Sequence, residues 1–230
     1  MRRTDAVDLV IFDCDGVLVD SEAIAARAVA EALGAIGHEI SAQVVGERFV
    51  GLSNKDMYAI IEAEMGRPLP ATFNDDMERR AEALFERELT AMAGLEAALS
   101  RLTQAICVAS SSAPDRLAYK LRRTGLLARF DPHIFSTAMV ARGKPAPDIY
   151  LYAAAQLGGA PERCLVIEDS VPGILGAKAA AMAVFGFAGG SHCADGHGRR
   201  LGDAGADLVF RDMRELPALI AQRNATLTTS

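Results

Sequence analysis

The chain has 230 residues, half of them hydrophobic and 23% charged, with a formal net charge of −6. This composition can bury a large core and excludes wholesale disorder. The pairs Arg79-Arg80, Arg122-Arg123 and Arg199-Arg200 are scattered and read as solvated helix faces. No basic patch forms, so nucleic acid and anionic membrane are not expected partners.

The opening Met1-Arg2-Arg3-Thr4-Asp5 carries no signal-peptide pattern. No apolar run approaches the ~20 residues that span a bilayer. Three of the four cysteines (Cys14, Cys107 and Cys164) lie in or beside apolar runs, as buried free thiols do in reduced compartments. The expectation is a soluble, cytoplasmic protein, with a monomer as the default state.

In chain order, the first element is an apolar, β-branched run over 7–12, expected as a buried strand. Two acids follow it at once, Asp13 and Asp15, with Gly16 after them. Helical patterns come next. One stripe is Ala25, Ala28, Val29, Ala32, Leu33 and Ile36; another is Met77, Ala81, Leu84, Phe85 and Leu89, both near the 3.6-residue period. Gly66-Arg67-Pro68-Leu69-Pro70 separates them. Residues 18–90 are therefore expected as a helical insert, a natural lid.

Strands resume over 105–109, 133–136, 164–167, 183–187 and 207–210, mostly with helical stretches between. This alternation predicts an α/β fold with a doubly wound, mainly parallel, Rossmann-like sheet, its core built from 1–17 and 91–223. The polar tail 224–230 is expected to fray.

Ser110, Ser111 and Ser112 follow the second strand, Lys144 lies in a Pro-rich loop after the third, and Glu168 and Asp169 follow the fourth. Ligands of doubly wound sheets bind outside the carboxyl ends of the strands, so these groups and the two acids converge on one edge. Four carboxylates there repel one another, and a hard cation such as Mg²⁺ relieves this. Ser112-Ala113-Pro114-Asp115 has capping-box spacing and places a helix start, whose N–H groups suit an anion. Metal, lysine and N–H donors around a carboxylate describe phosphoryl transfer, with the carboxylate as nucleophile.

The segment Asp13-Cys14-Asp15-Gly16-Val17-Leu18-Val19-Asp20-Ser21-Glu22 resembles the first motif of the haloacid dehalogenase superfamily, phosphatase type. Val108-Ala109-Ser110-Ser111, Gly143-Lys144-Pro145-Ala146-Pro147-Asp148-Ile149-Tyr150 and Val166-Ile167-Glu168-Asp169-Ser170-Val171-Pro172-Gly173-Ile174 resemble its other three. The chain is most similar to the group holding β-phosphoglucomutase and the sugar-phosphate phosphatases. The resemblance implies a helical cap after the first strand and assigns the residues roles. Asp13 is the nucleophile and a Mg²⁺ ligand. Asp15 is the general acid/base, its backbone carbonyl also on the metal. Ser110 and the Ser111 N–H hold the phosphoryl oxygens. Lys144 bridges nucleophile and phosphoryl group. Asp169 ligates the metal, and Glu168 does so directly or through water.

Asp15 and the Glu168-Asp169 pair argue against dehalogenation, and Asp15, where the phosphonoacetaldehyde hydrolases have Ala, argues against that group. A sugar phosphomutase is the rival. The mutase of that group has a cap histidine twelve residues after the nucleophile, where this chain has Ala25, and a cap lysine and arginine where it has Val50 and Asn54. The reading is thus a phosphatase of small phosphorylated sugars, sugar acids or polyols. A catalytically silent binding protein is the third alternative. Substrate contacts are sought in the cap, at Glu22, at Arg48, and at Ser53, Asn54 and Lys55 beside the Gly51-Leu52 turn. Gly189-Gly190-Ser191-His192-Cys193, with Asp195 and His197, matches no zinc spacing and reads as a flexible loop. Met139 and Met182 read as core filler.

Overall fold

The computed structural model describes residues 6–49 and 54–228. Val50, Ser53 and the Gly51-Leu52 turn lie outside them. The chain divides into two compact units, Met1–Val19 with Thr90–Ser230, and Asp20–Leu89.

The first unit holds one six-stranded sheet in the order β3-β2-β1-β4-β5-β6. The strands are β1 (Leu9–Phe12), β2 (Ala105–Ser110), β3 (Ile134–Ser136), β4 (Cys164–Glu168), β5 (Ala183–Phe187) and β6 (Leu208–Phe210). All neighbours pair in parallel; Phe12 lies in register with Val108 on one side and Ile167 on the other. β1, β4 and β5 are buried along their whole length. Helices cover both faces of such a sheet, so its inner strands are apolar without alternation.

The helices of this unit are α5 (Leu95–Leu99), α6 (Pro114–Arg123), α7 (Leu127–Phe130), α8 (Asp148–Gln156), α9 (Val171–Ala179), α10 (His197–Asp203) and α11 (Leu216–Thr228). Leu9, Ile11, Cys107, Ile149, Tyr150, Val166 and Ile174 share one packed cluster beneath α8 and α9. Each such large apolar side chain contributes about 1.5–3 kcal/mol on burial. Phe12 meets Phe130 edge to face, with ring centroids 5.9 Å apart.

The second unit contains α1 (Glu22–Ala35), α2 (Ala42–Phe49), α3 (Asn54–Met65) and α4 (Phe73–Glu88). It has its own core of Val29, Leu33, Val45, Phe49, Met57, Ile61, Phe73 and Met77. Leu18 and Val19 belong to the sheet unit: the Leu18 carbonyl accepts from Met92 N at 2.9 Å, and Val19 bridges Ala91.

In the first unit α11 runs on to Thr228, and the Asn224 side-chain oxygen accepts from Val7 N at 3.0 Å. One expectation fails there. Met182 is buried, but Met139 is 44% exposed, because it sits in a single 3₁₀ turn after β3 that buries none of its residues. Among the described residues no helix is long and apolar enough to cross a membrane.

Candidate active site

The strand order reverses at β1. From β1 the sheet runs one way through β2 to β3 and the other way through β4 to β6. Helices on the two sides diverge at such a point and leave a crevice at the carboxyl ends of the strands. β1 runs straight into Asp13, β4 ends on Glu168, and Asp169 follows. Ligand oxygens of Asp13, Glu168 and Asp169 lie within 4.8 Å of one another.

Lys144 reaches this point from the loop before α8. Its ammonium donates to Asp13 Oδ1 at 2.6 Å and to Glu168 Oε1 at 2.5 Å, with only 5% of its side chain exposed. Glu168 is fully buried and saturated with donors. Oε1 also accepts from the Tyr150 hydroxyl at 2.8 Å; Oε2 accepts from Ser170 N at 3.0 Å and Ser170 Oγ at 2.9 Å. Burial alone would raise the Glu168 carboxyl, but Lys144 and the hydrogen bonds from Lys144, Ser170 and Tyr150 hold it below the usual range. Burial alone would lower Lys144, yet Asp13 and Glu168 outweigh it and keep the ammonium charged. Asp13 is pushed well up, first by burial, with Lys144 opposing and Glu168, Asp169 and Asp15 adding to the push. Three carboxylates against one ammonium form an all-oxygen donor set that fits a hard divalent cation.

Gly16 makes the close packing possible. Its φ is +76°, and a Cβ there would stand 1.8 Å from Asp169 Oδ2. Only glycine takes this turn and leaves room for the acid.

Asp15 lies on the β2 side. Its Oδ2 accepts from the Ser112 hydroxyl at 2.7 Å and its Oδ1 from Lys120 Nζ at 2.5 Å. Ser110 is buried, its hydroxyl accepting from Ser112 N at 3.0 Å, while Ser111 is exposed at the strand end. The helix begins one residue later than the Ser112-Asp115 spacing places it. The capping box does not form, because the Ser112 hydroxyl is spent on Asp15; Ala113 is the N-cap and Pro114 the first helical residue.

In the helical unit, Glu22 opens α1 and Lys55 is exposed in the first turn of α3. The Arg48 guanidinium is engaged with Glu64 and lies 4.9 Å from the Phe49 ring. A pairing within its own unit therefore occupies this candidate for a substrate carboxylate.

Three contributors were not singled out from the sequence. Lys120 carried a legible signal, since Leu117, Lys120 and Leu121 are the buried stripe of α6 and a lysine in such a stripe needs an acid partner. Tyr150 lay in a quoted motif without a role. His192 lay in the discounted glycine loop; its Nε2 is 3.0 Å from Asp169 Oδ2, both side chains being under a tenth exposed.

With this geometry in hand, comparison with known proteins defines the class. The haloacid dehalogenase-like hydrolase pattern matches residues 7–181, and the chain belongs to that family. It is 31% identical to 6-phosphogluconate phosphatase of Escherichia coli, over 96% of this chain and 98% of the relative. It is 35% identical to hexitol phosphatase A of the same species, over 74% and 78% of the two chains. A haloacid dehalogenase-like protein of unknown function from Agrobacterium tumefaciens superposes with a TM-score of 0.89 at 46% identity, covering 95% of this chain and 99% of that one.

Proposed function

We propose that this hydrolase is a Mg²⁺-dependent phosphomonoesterase of small phosphorylated sugars, sugar acids or polyols, and that it works through an aspartyl-phosphate on Asp13. The observation that carries the reading is the Lys144 ammonium held between Asp13 and Glu168 at the β1–β4 switch. The similarity to 6-phosphogluconate and hexitol phosphatases supports the substrate class.

Asp13 and Asp169, with the Asp15 carbonyl, would hold Mg²⁺; Glu168, its oxygens already taken by four donors, would reach it through water. Bound there, the ion would neutralise phosphoryl charge and offset the repulsion among the acids. The Asp13 carboxylate attacks phosphorus as the bond to the substrate oxygen breaks. Protonated Asp15 gives its proton to that leaving oxygen, then takes one from the water that hydrolyses phospho-Asp13. Lys144 holds Asp13 in line and shields the phosphoryl charge. Ser110 and the Ser111 N–H hold the phosphoryl oxygens.

A panel of phosphorylated metabolites, assayed for released phosphate with Mg²⁺ and with chelator, tests this. Release from one member of the named classes, lost on chelation, is the expected result. Isomerisation of β-glucose 1-phosphate without phosphate release, or turnover indifferent to chelation, would overturn it.

A further inference from the structure

The glycine loop after β5 brings a second donor set together beside the first. Ligand atoms of His192, Cys193 and His197 lie within 4.8 Å of one another. His192 Nε2 is 3.5 Å from Cys193 Sγ and 3.0 Å from Asp169 Oδ2, and the two imidazoles meet edge to face at 5.4 Å. The His192 ring sits in a close-fitting slot. A Cβ on Gly190 would stand 2.7 Å from it, and one on Gly16 2.9 Å.

We propose that His192, Cys193 and His197 form a soft-metal site for an ion of the Zn²⁺ class, with Asp169 as fourth ligand. Occupation takes Asp169 from the hard-metal site and inhibits the enzyme. Two imidazoles, a thiolate and a carboxylate suit Zn²⁺ and not Mg²⁺. Tetrahedral Zn²⁺ with its usual bond lengths sets S···N about 3.6 Å and N···O about 3.4 Å apart. The 3.5 Å and 3.0 Å separations lie within a few tenths of these values. The sequence spacing of this loop fits no zinc pattern; the fold supplies Asp169, which spacing does not reveal.

Coordination replaces contacts already present. His192 changes tautomer, its proton moving from Nε2 to Nδ1 so that Nε2 can ligate, and the metal replaces the thiol proton of Cys193, which leaves to solvent. His197 Nε2 lies 2.7 Å from the Asp169 carbonyl and its Nδ1 3.1 Å from an Arg200 nitrogen. A carbonyl only accepts and a guanidinium only donates, so Nε2 carries the proton. Ligation through Nδ1 gives up the Arg200 bond and keeps Nε2–H on the carbonyl, whereas ligation through Nε2 moves the proton to Nδ1 and gives up both.

The test uses the full chain without an affinity tag, Co²⁺ as probe and no substrate. The site is expected to show the near-ultraviolet thiolate-to-cobalt charge-transfer band, discharged by Zn²⁺. Cys193→Ser and His197→Gln, the latter keeping a donor for the Asp169 carbonyl, each abolish it. No band in the wild type, or a band surviving in either variant, overturns the site; should His197→Gln not fold, Cys193→Ser decides alone. This readout holds whether or not the proposed reaction is correct. Under turnover at saturating Mg²⁺, Cys193→Ser is expected to raise the half-inhibitory Zn²⁺ concentration about tenfold or more. Equal inhibition of both proteins would refute the sharing of Asp169.

Discussion

Both units carry exposed ion pairs, but the sheet unit also buries charge. In the sheet unit, Asp13, Lys144, Glu168 and Asp169 are sequestered at strand ends, each side chain a tenth exposed or less. In the helical unit, Arg27 with Glu88, Arg48 with Glu64, Arg79 with Asp76 and Arg80 with Glu31 pair across open surface, every side chain at least a third exposed. Buried charges interact strongly and cost desolvation, so they persist where chemistry needs them. Exposed pairs are screened and contribute little. The difference teaches that an ion pair in this chain has a meaning only together with its burial.

The sharpest way to break that contrast is Asp13→Asn. Phosphate release is expected to fall on the order of 10⁴-fold or more, with the circular-dichroism spectrum unchanged. Retained turnover would show that the sheet-edge acids are not the machinery.

Lys144→Met strikes both stability and activity. It leaves Glu168 buried without its cation, for an expected loss of about 3–5 kcal/mol in denaturant unfolding. Turnover of the folded fraction should fall about 10²–10³-fold.

Lys120→Met probes the Asp15 end of the same site, where the two paired side chains are 11% and 18% exposed. If Lys120 and Ser112 place Asp15 for proton donation, alkyl phosphates should lose about 10²-fold in kcat/KM and p-nitrophenyl phosphate far less, since its leaving group needs no acid. Lys120→Arg should restore part of the loss. Equal losses on both substrates would reduce Lys120 to a structural partner.

Arg27→Met in the helical unit gives the smallest effect, within about 1 kcal/mol of wild-type stability. A loss as large as that of Lys144→Met would erase the distinction between the units.

Much of the fold was legible because a buried parallel strand is a continuous apolar run, whatever its partners. The runs at 7–12 and 164–167 became β1 and β4 with ends shifted by one or two residues. The acids after those runs, the serine after 105–109 and the lysine in the loop after 133–136 were legible as well, since an α/β sheet sends strand ends to one edge. The capping box at Ser112 misled, because spacing shows what a hydroxyl can reach locally but not the competing acid from β1. Arg48 misled in the same way: α3, which carries Glu64, packs with α2 in a common core.

By itself, then, the sequence determined the six strands, a helical insert expected over 18–90, and the acids, serine and lysine carried at strand ends or in the loops after them. Each follows from local pattern: period, breaker residues and the polar group after an apolar run. Only the tertiary structure decided that Lys120 belongs to Asp15, Tyr150 to Glu168, and His192 to Asp169. Those pairs join residues 105, 18 and 23 positions apart. Sequence periodicity carries no term for a contact made across strands, whereas burial forces each hidden charge to find its partner there.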